Sequence, residues 1–226
     1  MRCVLFRYYK DGAPVARADL NSIVNKTFPG KRSLAPAVVA LAQSKFLTSL
    51  GLHLKEVEKV KRSTDAADVK KRVAAALDGV AATKVFVLRS ALPVALRAGF
   101  VDTAAEVTQR ALTMTVLALV HLAGEGGMAE DTLLGHLAQL GVLVAGAHKH
   151  PYLGSVADLL AAMQKQRYIQ RNKMSGAGGE RWMIELAENG LDEVGTQRLD
   201  AWIADLARFG GGSAGAIVID DDEEDQ

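Results

Sequence analysis

The stretch from His150 to Leu186, "HPYLGSVADLLAAMQKQRYIQRNKMSGAGGERWMIEL", decides the fold. Ser155 can cap a helix in which Val156, Leu159, Leu160 and Met163 face inward. Two strand-like runs follow, Tyr168 to Met174 and Arg181 to Leu186, joined by the turn-forming "SGAGG". Four basic residues lie between helix and tip, namely Lys165, Arg167, Arg171 and Lys173, and no acid occurs from Leu159 to Gly179. The unit therefore reads as a helix feeding a cationic β-hairpin.

Upstream, "VTQRALTMTVLALVHLAG" is apolar on nearly every face, the mark of a central buried helix. "AEDTLLGHLAQLG" opens with two acids that suit a helix N-terminus, presents Leu133, Leu134, Leu137 and Leu140 on one side, and stops at Gly141. Downstream, Thr196 to Arg208 is amphipathic through Leu199, Trp202, Ile203 and Leu206. Three helices and then a two-stranded wing make a winged helix.

The same order precedes it. An apolar "MRCVLFRYY" is broken by "DGAPV", and "ARADLNSIVNKTF" carries Leu20, Ile23, Val24 and Thr27 on one helical face. Ser33 can cap a longer helix bearing Val38, Leu41, Ala42 and Phe46, which Gly51 ends. "LHLKEV" and "KVFVLRSAL" are strand-like, separated by an Ala- and Lys-rich insertion at about 61–83 that reads as an added helix or a mobile loop. The expected fold is mainly α with small β-hairpin wings, a tandem winged helix. The expected domains are 1–102 and 103–209, followed by a flexible acidic tail at 210–226.

Composition bounds the function. Nearly half of the 226 residues, 49%, are apolar, enough for a core without covalent staples. The single cysteine, Cys3, excludes an internal disulfide framework and, placed in an apolar run, is expected to be a buried, inert thiol. No stretch resembles a cleaved signal, and the longest apolar run, Thr113 to Ala123, is too short to span a bilayer. A soluble intracellular protein is expected. Six of the 26 acids fall at Asp220 to Asp225, which leaves 27 bases against 20 acids, a body of +7 beside a tail of −6. That split points to a polyanionic partner for the body.

Several segments together resemble the MAGE homology domain family. They are "LTMTVLALVHLAGEGGMAEDTLLGHLAQLGV", "HPYLGSVADLL", "QRYIQRNKM" and "ERWMIELAENG" in the second half, and "VLFRYYKDGAPVARADL" and "LAQSKFLTSLGLHLKEV" in the first. The resemblance spans roughly residues 3 to 208 and implies two tandem winged helices. Through the family's members in the Smc five–six chromosome-maintenance complex, it also implies a non-catalytic nuclear scaffold. Such a scaffold binds a RING-type ubiquitin ligase subunit and the kleisin subunit of an SMC complex, and touches duplex DNA. Against the family pattern the chain opens part-way into the first helix, so the RING-facing Leu-Leu pair maps only onto Val4 and Leu5. The insertion has no counterpart in the family pattern. A free-standing winged-helix DNA-binding regulator and a MAGE-type ligase adaptor outside any SMC complex remain as alternatives.

The candidate DNA-contacting residues are Lys165, Arg167, Arg171, Lys173 and Lys149. Arg171 and Lys173 alternate with Gln170 and Asn172 and so share a strand face, and a winged helix brings its third helix and wing to one surface. An ordinary solvated face is the alternative. Such contact is electrostatic, with weak sequence preference. In the tail, Ile217, Val218, Ile219 and Asp220 resemble a SUMO-interacting motif, in which an apolar strand adds to a sheet edge; a plain solubilising tail is the competing reading. His148 and His150 flank Lys149 without the acids or thiols that would complete a metal site, and a turn before Pro151 explains them. His121 and His136 read as core or edge residues. "GEGG" lacks the Lys-Ser/Thr of a phosphate loop. No cofactor, metal or catalytic residue is expected.

Overall fold

Short helical, strand and turn signals alternate along the chain, and each half assembles them in one order around its own core. The computed structural model describes residues 1–31, 33–60, 83–93, 95–97, 104–124, 126–143, 150, 153–176 and 179–211. The first half runs α1 (Arg2–Asp11), β1 (Val15–Ala16), α2 (Arg17–Thr27), α3 (Leu34–Leu50), β2 (Leu52–Glu58) and β3 (Lys84–Ser90). The second runs α4 (Ala104–Leu122), β4 (Met128–Ala129), α5 (Glu130–Gln139), α6 (Val156–Lys165), β5 (Ile169–Gly176) and β6 (Gly179–Leu186). Two further helices close the chain, α7 (Glu188–Glu193) and α8 (Thr196–Gly211).

Both sheets have three strands in equivalent order, β1-β3-β2 and β4-β6-β5, all antiparallel. In each, a two-residue strand before the second helix pairs with the return strand of the hairpin. This is the winged-helix arrangement twice over, as the order of elements predicts.

Each lobe has its own core. The first gathers Val4, Val15, Phe46, Leu54, Phe86 and Leu88, with Leu5, Leu20 and Ala42 packed against them. The second is larger and is built around the middle of α4, where Val116 and Leu117 are fully buried among Leu133, Leu137, Met163, Ile184 and Leu199. A fully buried leucine contributes roughly 1.5–3 kcal/mol, and Leu117, Leu133 and Leu137 are all buried here. The leucine stripe expected on α5 divides: Leu133 and Leu137 are buried, whereas Leu140 is 58% exposed, because the helix ends at Gln139.

Two glycines set the geometry of the turns. Gly51 takes a left-handed conformation (φ 61°), and its N–H returns to the Leu47 carbonyl, so α3 turns directly into β2. Gly127 (φ +69°) leads into β4 with its backbone against β6. A Cβ there would lie 2.3 Å from the Ile184 carbonyl oxygen, closer than any side chain permits.

The cap expected on α6 forms, with the Asp158 N–H donating to Ser155 Oγ at 3.2 Å. The insertion at 61–82 and the tail from 212 onward lie outside the described residues, as does the boundary expected at 102 and 103.

The first wing does not project freely. It rests on α7 of the second lobe, where Lys55 Nζ lies 2.5 Å from Asp192, and Arg89 reaches Glu193 at 3.0 Å, Asp192 at 3.5 Å and the Asn189 side-chain oxygen. Just beyond β2, the Val60 backbone is held from both sides: its N–H donates to Glu188 at 3.3 Å and its carbonyl accepts from Arg167 at 3.3 Å. Among the described residues these charged and polar contacts join the lobes, and α7 takes part in most of them.

Candidate functional site

The antiparallel register of the second wing sets Ile169 opposite Leu186, Arg171 opposite Ile184 and Lys173 opposite Trp182. These residues share one sheet face. Its inner end is core, and past Ile184 it carries charge. Arg171 donates from Nε (2.9 Å) and Nη2 (2.5 Å) to Glu130 at the start of α5, and its guanidinium lies 4.1 Å from the centre of the Trp182 ring. Glu130 is well placed to anchor it, since a carboxylate is favoured at a helix N-terminus. Lys173 Nζ meets Glu180 at 2.5 Å, with both side chains about half exposed, so that pair contributes little stability. The opposite face carries Gln170 and Asn172, both buried. Burial takes both amides out of any base-reading role, and Gln170 donates to Glu185 at 2.8 Å.

The structure thus brings Arg171 and Lys173 together and separates the rest of the predicted set. Lys165, at the exposed end of α6, lines an inter-lobe cleft of about 940 Å³ together with Tyr9, Lys10, Arg89 and Tyr168. Arg167 corrects the expectation of an outward cation. It occupies a left-handed corner (φ 62°) between α6 and β5, and its guanidinium donates at 2.8 Å to each oxygen of Glu188 and at 3.1 Å to Gln170. Its side chain is 14% exposed and that of Glu188 1%. A buried fork-to-fork pair of this kind is internal architecture. Lys149, His148 and the tail residues Ile217, Val218, Ile219 and Asp220 lie outside the described residues.

The expected partner groove is corrected as well. Val4 is 3% exposed and belongs to the first core, with Leu5 half-buried against it. The outward face of α1 instead carries Phe6 and Tyr9, 68% and 90% exposed and one helical turn apart. Cys3, expected to be buried, is exposed on the same helix. Sequence periodicity holds the signal for this exchange, because a helix that points Val4 inward must point Phe6 and Tyr9 elsewhere.

The acidic helix α7 is the part that sequence reading missed. It is only six residues long and follows directly on a strand. Besides gripping the first wing, its Glu193 accepts from the Tyr168 hydroxyl at 2.5 Å. Burial, followed by the negative charge of Glu193, pushes the Tyr168 phenol above its ordinary value. His121 and Asp200 pair at 2.8 Å, linking α4 to α8 as an edge histidine does. Among the described residues no group of three His, Cys, Asp or Glu side chains is arranged to hold a metal, and no helix is long and apolar enough to cross a membrane.

Two three-helix modules, each with a β-hairpin wing and docked through a shared acidic helix, define the chain as a tandem winged-helix protein. The chain belongs to the MAGE homology domain family, whose model matches residues 1–197. It is also similar to a chain in a solved structure titled "Nse1-Nse3-Nse4 complex", with 17% sequence identity and a TM-score of 0.66, over 92% of this chain and 86% of that one. No curated protein matches.

Proposed function

We propose that this chain is the MAGE-like scaffold subunit (non-SMC element three) of an Smc five–six type chromosome-maintenance and DNA-repair complex. In this reading it joins a RING-type ubiquitin ligase subunit to a kleisin, performs no chemistry itself, and acts in the nucleus on chromosomes. The observation that carries the reading is a family match running through both lobes. Its similarity to a chain solved within a complex of several proteins supports an assembly role.

The RING subunit is assigned to the outward face of α1. Phe6 and Tyr9 there are large, exposed and aromatic, the residue type that anchors protein interfaces. Duplex DNA is assigned to the second wing through Arg171 and Lys173, with Lys165 as an outlying contact. Among the described residues the first wing places Lys55 and Arg89 on α7, whereas the second carries its cations at the rim of its sheet. Lys173 faces the exposed carboxylate of Glu180, and a phosphate backbone can take that partner's place.

Co-expression with the RING and kleisin subunits of the same organism tests the scaffold. All three should purify together, and Phe6→Glu with Tyr9→Glu should release the RING subunit while the kleisin stays bound. Recovery of neither subunit with the unaltered chain would overturn the reading. For DNA, Arg171→Glu with Lys173→Glu should weaken duplex binding and flatten its salt dependence, by about 0.9 in log–log slope for each phosphate no longer neutralised.

A further inference from the structure

We infer that the second wing carries a stacking platform for an unpaired nucleobase, formed by Trp182 with the Arg171 guanidinium fixed against its ring. The chain then prefers DNA that has single-stranded character over continuous duplex. This rests on the proposed DNA contact and adds to it a residue, a chemistry and a preference.

The chain has two tryptophans, and they are treated differently. Trp202 packs against the second core, whereas Trp182 is 41% exposed on the wing. The exposed part of the indole forgoes apolar burial. Its orientation is set all the same. Glu130 pins Arg171 by two hydrogen bonds, and Arg171 in turn lies against the ring at 4.1 Å. The ring is therefore held by a cation, and Lys173 stands directly across the strand pair on the same face.

Charge around the ring favours a nucleic acid over a protein as the occupant. Protein interface cores are depleted in charged residues and surround their aromatic anchors with apolar contacts. The same-face neighbours of Trp182 beyond Ile184 are instead Arg171, Lys173 and Glu180. Proteins hold single strands with an aromatic ring that takes a base and cations beside it that take the backbone. Here Lys173 exchanges Glu180 for phosphate, while Arg171 stays on Glu130 and holds the ring. Within continuous duplex both faces of each base are covered by neighbouring bases, so only an unpaired base can use the platform.

Fluorescence anisotropy on the full chain tests this with two labelled DNAs at one salt concentration, a duplex of about 30 base pairs and the same duplex with a central single-stranded gap. The unaltered chain should bind the gapped DNA about ten-fold more tightly, the scale of one base–aromatic stack. Trp182→Ala should abolish that preference and leave duplex affinity in place, and Trp182→Phe should retain most of it. Equal affinity for the two DNAs in the unaltered chain sinks the platform alone and leaves duplex contact standing. Failure to bind either DNA sinks both readings. A Trp182→Ala protein that keeps the preference, or that loses the RING or kleisin subunit instead, makes Trp182 something other than a base platform.

Discussion

Arg167 and Arg171 stand four positions apart on one cationic segment, yet their surroundings give them opposite work. Arg171 reaches Glu130 and Trp182 at the rim of the wing, while Arg167 bends inward to a carboxylate that is almost wholly out of water. Sequence gives both the same charge and no hint of which way each points. The deciding partner of Arg167, Glu188, lies 21 residues away. Removing one member of a buried ion pair strands the other and costs about 3–5 kcal/mol, whereas replacing both by apolar groups can be neutral. Arg167→Met should therefore lower the urea midpoint sharply and leave DNA affinity per folded molecule unchanged. Arg167→Met combined with Glu188→Leu should recover much of the stability. The α1 surface was half legible for a related reason. The helical period implies two faces for α1, and only packing shows that Val4 takes the inside and Phe6 and Tyr9 the outside.

At the scale of elements, the parts that could be read were those whose apolar period repeats several times. The helices α2 to α6 and the strands β2, β3, β5 and β6 all lie where periodicity and turn residues place them. The two-residue strands β1 and β4 left no trace, since alternation needs more than one cycle to be seen. Short α7 was hidden by its polar composition, although it buries Gly190 and grips the other lobe. Capping was legible at α6, where the Ser155 hydroxyl takes the Asp158 N–H, but not at α3, where Ser33 stands at the N-terminus without a side-chain cap hydrogen bond. Ser155→Ala should destabilise the protein by about 1 kcal/mol in equilibrium denaturation. With the cap at the far end of α6 from the wing, DNA binding should stay unchanged.

For the whole molecule, the tandem order of modules was visible in the sequence, but the way they are joined was not. The contact between lobes depends on Lys55 and Arg89 meeting Asn189, Asp192 and Glu193, five polar residues drawn from three separate segments. Arg89→Glu would set a third negative charge against Asp192 and Glu193. Its radius of gyration in small-angle X-ray scattering should rise, and its thermal unfolding should resolve into two transitions as the cores melt separately. An unchanged radius together with one cooperative transition would mean that apolar contacts, and not the charges, hold the lobes together.

The clasp at α7 has a consequence for how the molecule answers its surroundings. Dissolved ions weaken attraction at an exposed charge such as Lys55 more than at the sheltered Arg89, and leave greasy interiors largely untouched. Rising ionic strength should loosen the mutual grip of the halves well before either half melts. The angle between them is then the soft coordinate of this protein, and whatever binds across both halves will feel that softness first.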